Sequence, residues 1–311
     1  MLGSEHDDLR DAVRHMLDRA DVSWTGLCRQ IGVAGLAVPE QYGGAGATLL
    51  ESHVVLEETG RVLARVPMLS TVLATQALLL SGNAPACADH LPGIVDGSTS
   101  ATVLWADSVS ETVACVLDGD VADVLLVATP DGLYLGDSTH RVHTPAMDES
   151  RRLATVRLSG GTRIGPPAPR LRDIALSALS AEQVGAAQRC LDMTVDHTRT
   201  RVQFGRPIGS FQALKHRMAD MHVLVETARS ISYAAAENPD LAAVAAAHCA
   251  ETLSTVAGEM IQLHGGIAIT WEHDAHRYFK RAHNSAQLFG QPHEHVARLV
   301  DVISSRRAAT T

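Results

Sequence analysis

Arginine, aromatic, glycine and proline residues crowd into one stretch, Arg199-Thr200-Arg201-Val202-Gln203-Phe204-Gly205-Arg206-Pro207-Ile208-Gly209-Ser210-Phe211-Gln212. Guanidinium groups grip a phosphate through forked, charge-assisted hydrogen bonds. Phe204 offers a face to an aromatic group, and glycines let backbone N–H groups approach a ligand closely. The ligand that suits such a stretch is anionic and flat. The same residues also read as surface ion pairs around a plain turn.

The stretch sits between two helical patterns. Before it, Leu171, Ile174, Ala178, Ala181, Val184, Cys190, Leu191 and Val195 recur at helical spacing; after it, Leu214, Met218, Met221, Leu224 and Val225 resume the rhythm. It therefore connects two helices, with Ser210 expected as N-cap of the second.

The spacing Arg201-x-x-Phe204-Gly205-x-Pro207-Ile208-Gly209-x-Phe211-Gln212 resembles the loop of acyl-CoA dehydrogenases that holds the FAD pyrophosphate and adenosine, usually from the neighbouring subunit. Gln262-Leu263-His264-Gly265-Gly266 is similar to the Gln-x-x-Gly-Gly segment that completes that flavin site. The resemblance implies FAD as cofactor, held by Arg201, Gln203, Phe204, Gly205, Gln212, Gln262, Leu263, His264, Gly265 and Gly266.

The chain has 311 residues, 46% of them hydrophobic, enough for a sizeable core divided into two or three domains. Its 26 basic and 35 acidic residues leave a net charge of −9 with no long basic run. Nucleic acid and anionic membranes are therefore not expected partners. No uninterrupted apolar run reaches about 18 residues, and the first ten residues are acidic and polar, so the expected location is the cytoplasm. The cysteines, Cys28, Cys87, Cys115, Cys190 and Cys249, are scattered and read as reduced thiols. His273, His276, His293 and His295 lie in polar surroundings without metal-ligand spacing, and no metal site is expected.

Three domains are expected: 1–98, 99–170 and 171–311. The first reads as a helical bundle, with faces at Leu9, Val13, Met16 and Leu17, at Trp24, Leu27, Cys28 and Ile31, and at Val54, Val55, Leu56, Val62 and Leu63. Its turn-rich loop, Gly35 to Gly46, and the following Glu57-Glu58-Thr59-Gly60-Arg61 resemble the N-terminal domain of the same family; Glu40, Glu57 and Glu58 read as ordinary exposed carboxylates. Short β-like runs follow at Ala101–Trp105, Thr112–Leu117, Val124–Ala128, Leu133–Leu135 and Leu153–Leu158. Asp118-Gly119, Pro130-Asp131-Gly132 and Ser159-Gly160-Gly161 are the expected turns. The third region returns to long helices, with an alanine-rich, tightly packed one from 241 to 250. The fold class is mainly α with a small β domain, the acyl-CoA dehydrogenase layout with a shortened centre.

Two departures stand out. The family's catalytic Glu precedes a Gly late in the bundle, and that position falls on Phe289; the alternative position, before the arginine loop, falls on Ala175. Neither side chain can take a proton. The β domain also lacks the Thr-Glu-Pro-x-x-Gly-Ser-Asp stretch that lies against the flavin ring. The resemblance then implies a non-catalytic subunit of a bacterial α2β2 acyl-CoA dehydrogenase. A catalytic partner chain would supply the base, the substrate would be an acyl-CoA of the steroid-derived kind, and an electron-transfer flavoprotein would accept the electrons. Two other readings stand beside it: a self-sufficient enzyme with its base relocated to Asp173, Glu182 or Glu272, and a homologue that binds acyl-CoA or a partner without redox chemistry.

Overall fold

The structure, a computed structural model, describes residues 3–19 and 22–309, with side chains as far as residue 300. The chain forms two compact units: Met1–Leu56 with Ala64–Ala175, and Glu57–Leu63 with Leu176–Thr311.

In the first unit, α1 (Ser4–Leu17), α2 (Trp24–Ile31), the start of α3 (Leu49–Arg61), α4 (Met68–Ser81) and α5 (Ala84–Val95) bury the faces their spacing marks out. Val13, Met16, Leu17, Leu27 and Cys28 are all buried. Polar caps set the helix starts: the Ser23 hydroxyl accepts the Gly26 N–H at 3.1 Å, and the Asn83 amide oxygen accepts the Ala86 N–H at 3.0 Å.

The sheet of this unit comprises β1 (Ala101–Trp105), β2 (Thr112–Leu117), β3 (Val124–Ala128), β4 (Leu133–His143) and β5 (Leu153–Gly165). Its order is β1-β3-β4-β5-β2, with β1 and β3 parallel and the other pairs antiparallel. Leu104, Val116, Leu125, Val127, Val156 and Leu158 form its core. The first three strands have the expected bounds, whereas β4 and β5 run well past theirs. Ser159-Gly160-Gly161 is not a turn: it lies inside β5, where Gly160 opposes Asp137 at φ +145° beside a register shift. Glycine inside a strand permits such a bulge without ending the ladder.

The second unit contains α6 (Arg170–Thr200) from Leu176 onward, a two-stranded hairpin of β6 (Val202–Gln203) and β7 (Arg206–Pro207), and then α7 (Gln212–Glu237), α8 (Ala242–His264), α9 (Ala275–Ser285) and α10 (Pro292–Ala309). Its core gathers Ala186, Cys190, Leu191, Met221, Val225, Leu253, Val256 and Met260. Alanines at 242, 245 and 246 are buried, as expected of a tightly packed helix. By length and composition alone the segment Pro239–Ile269 is apolar enough to cross a membrane, but 61% of that window is buried inside the protein. It reads as the core helix of the bundle.

The tail of α3 belongs to this unit and touches α6 backbone to backbone. A Cβ at Gly185 would stand 1.7 Å from the Glu57 carbonyl oxygen, and one at Gly60 would stand 2.0 Å from that of Glu182. This approach buries Glu57 and Glu58, at 5% and 1% exposure, so the expectation that they are ordinary surface carboxylates is wrong; Glu40 is indeed exposed. Both buried carboxylates are ion-paired, as burial of a charge demands: Glu57 to Arg229 at 3.0 Å and Glu58 to Arg61 at 2.8 Å. Val62 and Leu63 lie beyond the end of α3 and not within it; Leu63 takes φ +50° and joins the second unit's core. All five cysteines are free thiols, and Cys115 is the exposed one.

Candidate functional site

The arginine stretch does join two helices, and it does so through a structured arm. The Arg201 N–H donates to the His197 carbonyl at 2.9 Å as α6 ends, and the chain then turns back so that Val202 pairs with Pro207 and Gln203 with Arg206. The two central residues, Phe204 and Gly205, have φ of +54° and +76°. Left-handed values at both positions are what a tight two-residue hairpin requires, and an aromatic residue holds the first at some cost in strain. Phe204 is 90% exposed.

Within the arm the arginines differ. The Arg206 guanidinium lies 4.0 Å over the Phe211 ring, which also meets Phe204 edge-on at 6.1 Å. Arg201 is exposed, and among the described residues no hydrogen bond or ion pair occupies its guanidinium. The Gln203 amide folds back onto the Val202 carbonyl at 2.9 Å, and Gln212 is exposed. Ser210 is not the N-cap of α7: Phe211 holds that position, and the Ser210 hydroxyl donates to the Pro207 carbonyl at 2.7 Å. The short helical turn Ile208–Ser210 takes up the residue that would have capped.

The second motif lies where α8 stops. Gly265 takes φ +67° and ψ −146°, a backbone state essentially reserved for glycine, and it exposes the following turn. Gln262, Gly265 and Gly266 are exposed while Leu263 and His264 are buried. The His264 Nδ1 lies 2.8 Å from the Met260 carbonyl, to which it donates. Its ring stacks on His197, with centroids 4.3 Å apart and planes 26° apart, and meets His273 at 4.6 Å. The two sequence motifs, some sixty residues apart by number, thus converge through a column of three imidazoles. Burial is the main cause that pushes the His264 imidazole down to about 4, with His197 and His273 adding to it; burial, His273 and Arg201 lower His197.

No proton acceptor stands at either family base position. Phe289, at φ +58°, packs against Leu176, Ala242 and Ala246, and Ala175 is fully buried. Glu182 is buried in an ion pair with Arg281. Asp173 is half-buried at the start of α6, and Glu272 is exposed before α9. Among the described residues no cluster of three His, Cys, Asp or Glu side chains could hold a metal. Of the histidines expected in polar surroundings, His276 and His295 are buried.

Sequence reading missed His197 and the Glu57 network. His197 lies one helical turn before Arg201, a spacing that puts both on one face and could have singled it out. Glu57 accepts hydrogen bonds from the Tyr233 hydroxyl and Arg229, whose other end reaches the Gln188 amide oxygen at 2.7 Å. Nothing local in the sequence predicts that network.

Chemically, the converged segments offer, among the described residues, the uncommitted guanidinium groups of Arg199 and Arg201, the exposed amides of Gln212 and Gln262, an exposed aromatic and bare glycine backbone. A Cβ at Gly205, Gly265 or Gly266 would meet nothing within 4 Å. At Gly266, whose φ is not left-handed, neither the chain's own packing nor that torsion demands glycine, so the small residue suits something outside the chain. This donor set fits a phosphate-bearing ligand with a flat end.

Residues 177–292 match the family described as acyl-CoA dehydrogenase, C-terminal domain, and residues 4–98 match acyl-CoA dehydrogenase, N-terminal domain. Acyl-CoA dehydrogenase IpdE2 of Mycolicibacterium smegmatis is 46% identical over 278 residues, which cover 89% of this chain and 86% of the relative. Among solved structures, a chain of the Tcur3481-Tcur3483 steroid ACAD superposes with a TM-score of 0.88 at 30% identity, covering 99% of this chain and 100% of that one. A chain of the ChsE4-ChsE5 complex from Mycobacterium tuberculosis gives 0.86 at 27% identity, covering 98% of each.

Proposed function

The chain belongs to the acyl-CoA dehydrogenase family, and within it we propose that it is the FAD-tail-binding, non-catalytic subunit of a heteromeric enzyme that desaturates an acyl-CoA between its α and β carbons. The observation that carries this reading is the pairing of a converged anion-binding arm with a base position filled by Phe289.

In this reading Arg201 neutralises the FAD pyrophosphate, Gln262 reaches the adenosine end, and Phe204 packs beside it. Gly205, Gly265 and Gly266 bring backbone N–H groups close, while Gln203, Gln212, Leu263 and His264 shape the surrounding segment. When bound, FAD supplies the two-electron acceptor for the desaturation. Removal of the α-proton needs a base within hydrogen-bond reach, which the partner acyl-CoA dehydrogenase chain provides as a Glu. An electron-transfer flavoprotein then takes the electrons, and the assembly is a cytoplasmic heterotetramer. Two neighbours lend support: one is described by two chain names as a steroid ACAD and the other as a complex of two chains. A fused-ring, steroid-derived CoA ester is accordingly the substrate class to try first.

Purified alone, the chain should carry little flavin and show no dehydrogenase activity. Co-expressed with a cognate acyl-CoA dehydrogenase chain, it should co-purify with one FAD for each pair of unlike chains. The visible flavin spectrum decides the matter. Stoichiometric flavin in a homo-oligomer that desaturates acyl-CoA would overturn the subunit reading in favour of a self-sufficient enzyme.

A further inference from the structure

His264 is placed at the joint of the two motif segments. From α6, His197 stacks on it one turn before Arg201; from the segment before α9, the His273 ring lies tilted against it at 4.6 Å, and the His273 Nδ1 accepts the Ala275 N–H at 3.1 Å. His264 is 6% exposed. Because Nδ1 donates to the Met260 carbonyl, Nε2 carries a lone pair, and among the described residues that buried atom has no hydrogen-bond partner. A proton added there would be buried and would face His197, His273 and, beyond His197, Arg201, with only the backbone of Met193 to favour it.

We propose that His264 is a positioning residue: stacked on His197 as a neutral imidazole, it holds the Arg201 segment and the Gln262–Gly266 segment at the spacing the FAD tail requires. The inference rests on the cofactor reading above. Arg201 and Gln262 sit on an exposed arm and an exposed helix end, and among the described residues neither makes a side-chain hydrogen bond or ion pair. The apolar core holds α6 and α8 together, and at their ends the ring column adds the contact nearest the two motifs; a binding constellation has to be locked by such supporting packing if its donors are to bind without reordering. Burial as the chief cause of the lowered His264 basicity agrees with a joint that works uncharged.

The test uses the complex of the full chain with its acyl-CoA dehydrogenase partner, and FAD retention as the readout. His264→Asn keeps a polar group and removes the stack; FAD affinity should fall by about tenfold or more, while the thermal midpoint of the complex without FAD changes little. His264→Phe restores a stacking ring that cannot be protonated. It should recover most of the affinity and move the midpoint of acid-induced FAD release to lower pH than in the wild type. A purely structural role would lower the thermal midpoint of the FAD-free complex in step with the FAD affinity. Arg201→Ala is run in parallel: if it too leaves FAD bound, the cofactor reading has failed. If Arg201→Ala releases FAD but His264→Asn does not, or if His264→Phe releases FAD at the wild-type pH, the positioning role alone is overturned.

Discussion

Glu182 and Arg281 form an ion pair with 8% and 4% of their side-chain surfaces exposed. A carboxylate held in that way is neutralised by its partner and cannot serve as a mobile base. Removing one member of a buried ion pair costs roughly 3–5 kcal/mol. Glu182→Gln should therefore lower the chain's stability to chemical denaturation while flavin reduction in the intact complex stays within about tenfold of wild type. Asp173→Asn and Glu272→Gln should likewise stay within about tenfold, whereas loss of a true general base costs roughly 10²–10⁴-fold. A thousandfold drop for any of the three, with FAD bound and the assembly intact, would place the base on this subunit.

Much of this molecule is legible in its residues because the relevant physics is local. The periodicity from Leu171 to Val195 gives α6, and β1, β2 and β3 begin and end where their alternating runs do. The extensions of β4 and β5 are hidden because their outer halves are polar and interrupted by Gly160-Gly161. The burial of Glu57 depends on Gly185 in a distant helix, a contact no window of sequence contains. In the candidate site, both motifs are readable by spacing, but their joint at His197 and His264 is a tertiary fact. Ser210 has the right type for a cap, yet a short helical turn shifts the start of α7 past it.

Two glycines separate structure from binding. At Gly185 an added methyl would overlap the Glu57 carbonyl, so Gly185→Ala forces α3 and α6 apart and should cost roughly 4–5 kcal/mol, among the larger single-site effects. At Gly266 the methyl meets open space. Gly266→Ala should leave the unfolding midpoint of the isolated chain within error and reduce FAD occupancy of the complex. Equal stability losses at both sites would show that the openness at Gly266 has another cause.

Acid sensitivity follows from His264. Burial, reinforced by His197 and His273, holds its folded-state value at about 4 against an ordinary value of 6.5. Between those limits the unfolded chain binds the proton and the folded chain does not, so stability is fully present above 6.5 and falls as pH drops toward about 4. The loss from this group amounts to about 3 kcal/mol and then levels off. Urea midpoints measured across that window should fall for the wild type more steeply than for His264→Phe. Parallel curves for the two proteins would remove His264 as the source.

Arg201 and Arg206 stand on the same arm with the same charge, and they should behave differently. Arg206 is already engaged, its guanidinium 4.0 Å above the Phe211 ring, a contact worth about 0.5–1 kcal/mol where exposed. Arg201 has no such engagement among the described residues and lies beside His197, whose basicity it lowers. If it grips the pyrophosphate, Arg201→Ala removes a charge-assisted contact from the bound state and should weaken FAD binding in the complex by roughly 2–4 kcal/mol. Arg206→Ala loosens the hairpin and should weaken it by about 1 kcal/mol or less. Titrating the FAD-stripped complex with FAD by fluorescence quenching measures both. Equal effects would mean that general positive charge, and not the placement of Arg201, binds the cofactor; no effect at Arg201 would remove it from the site.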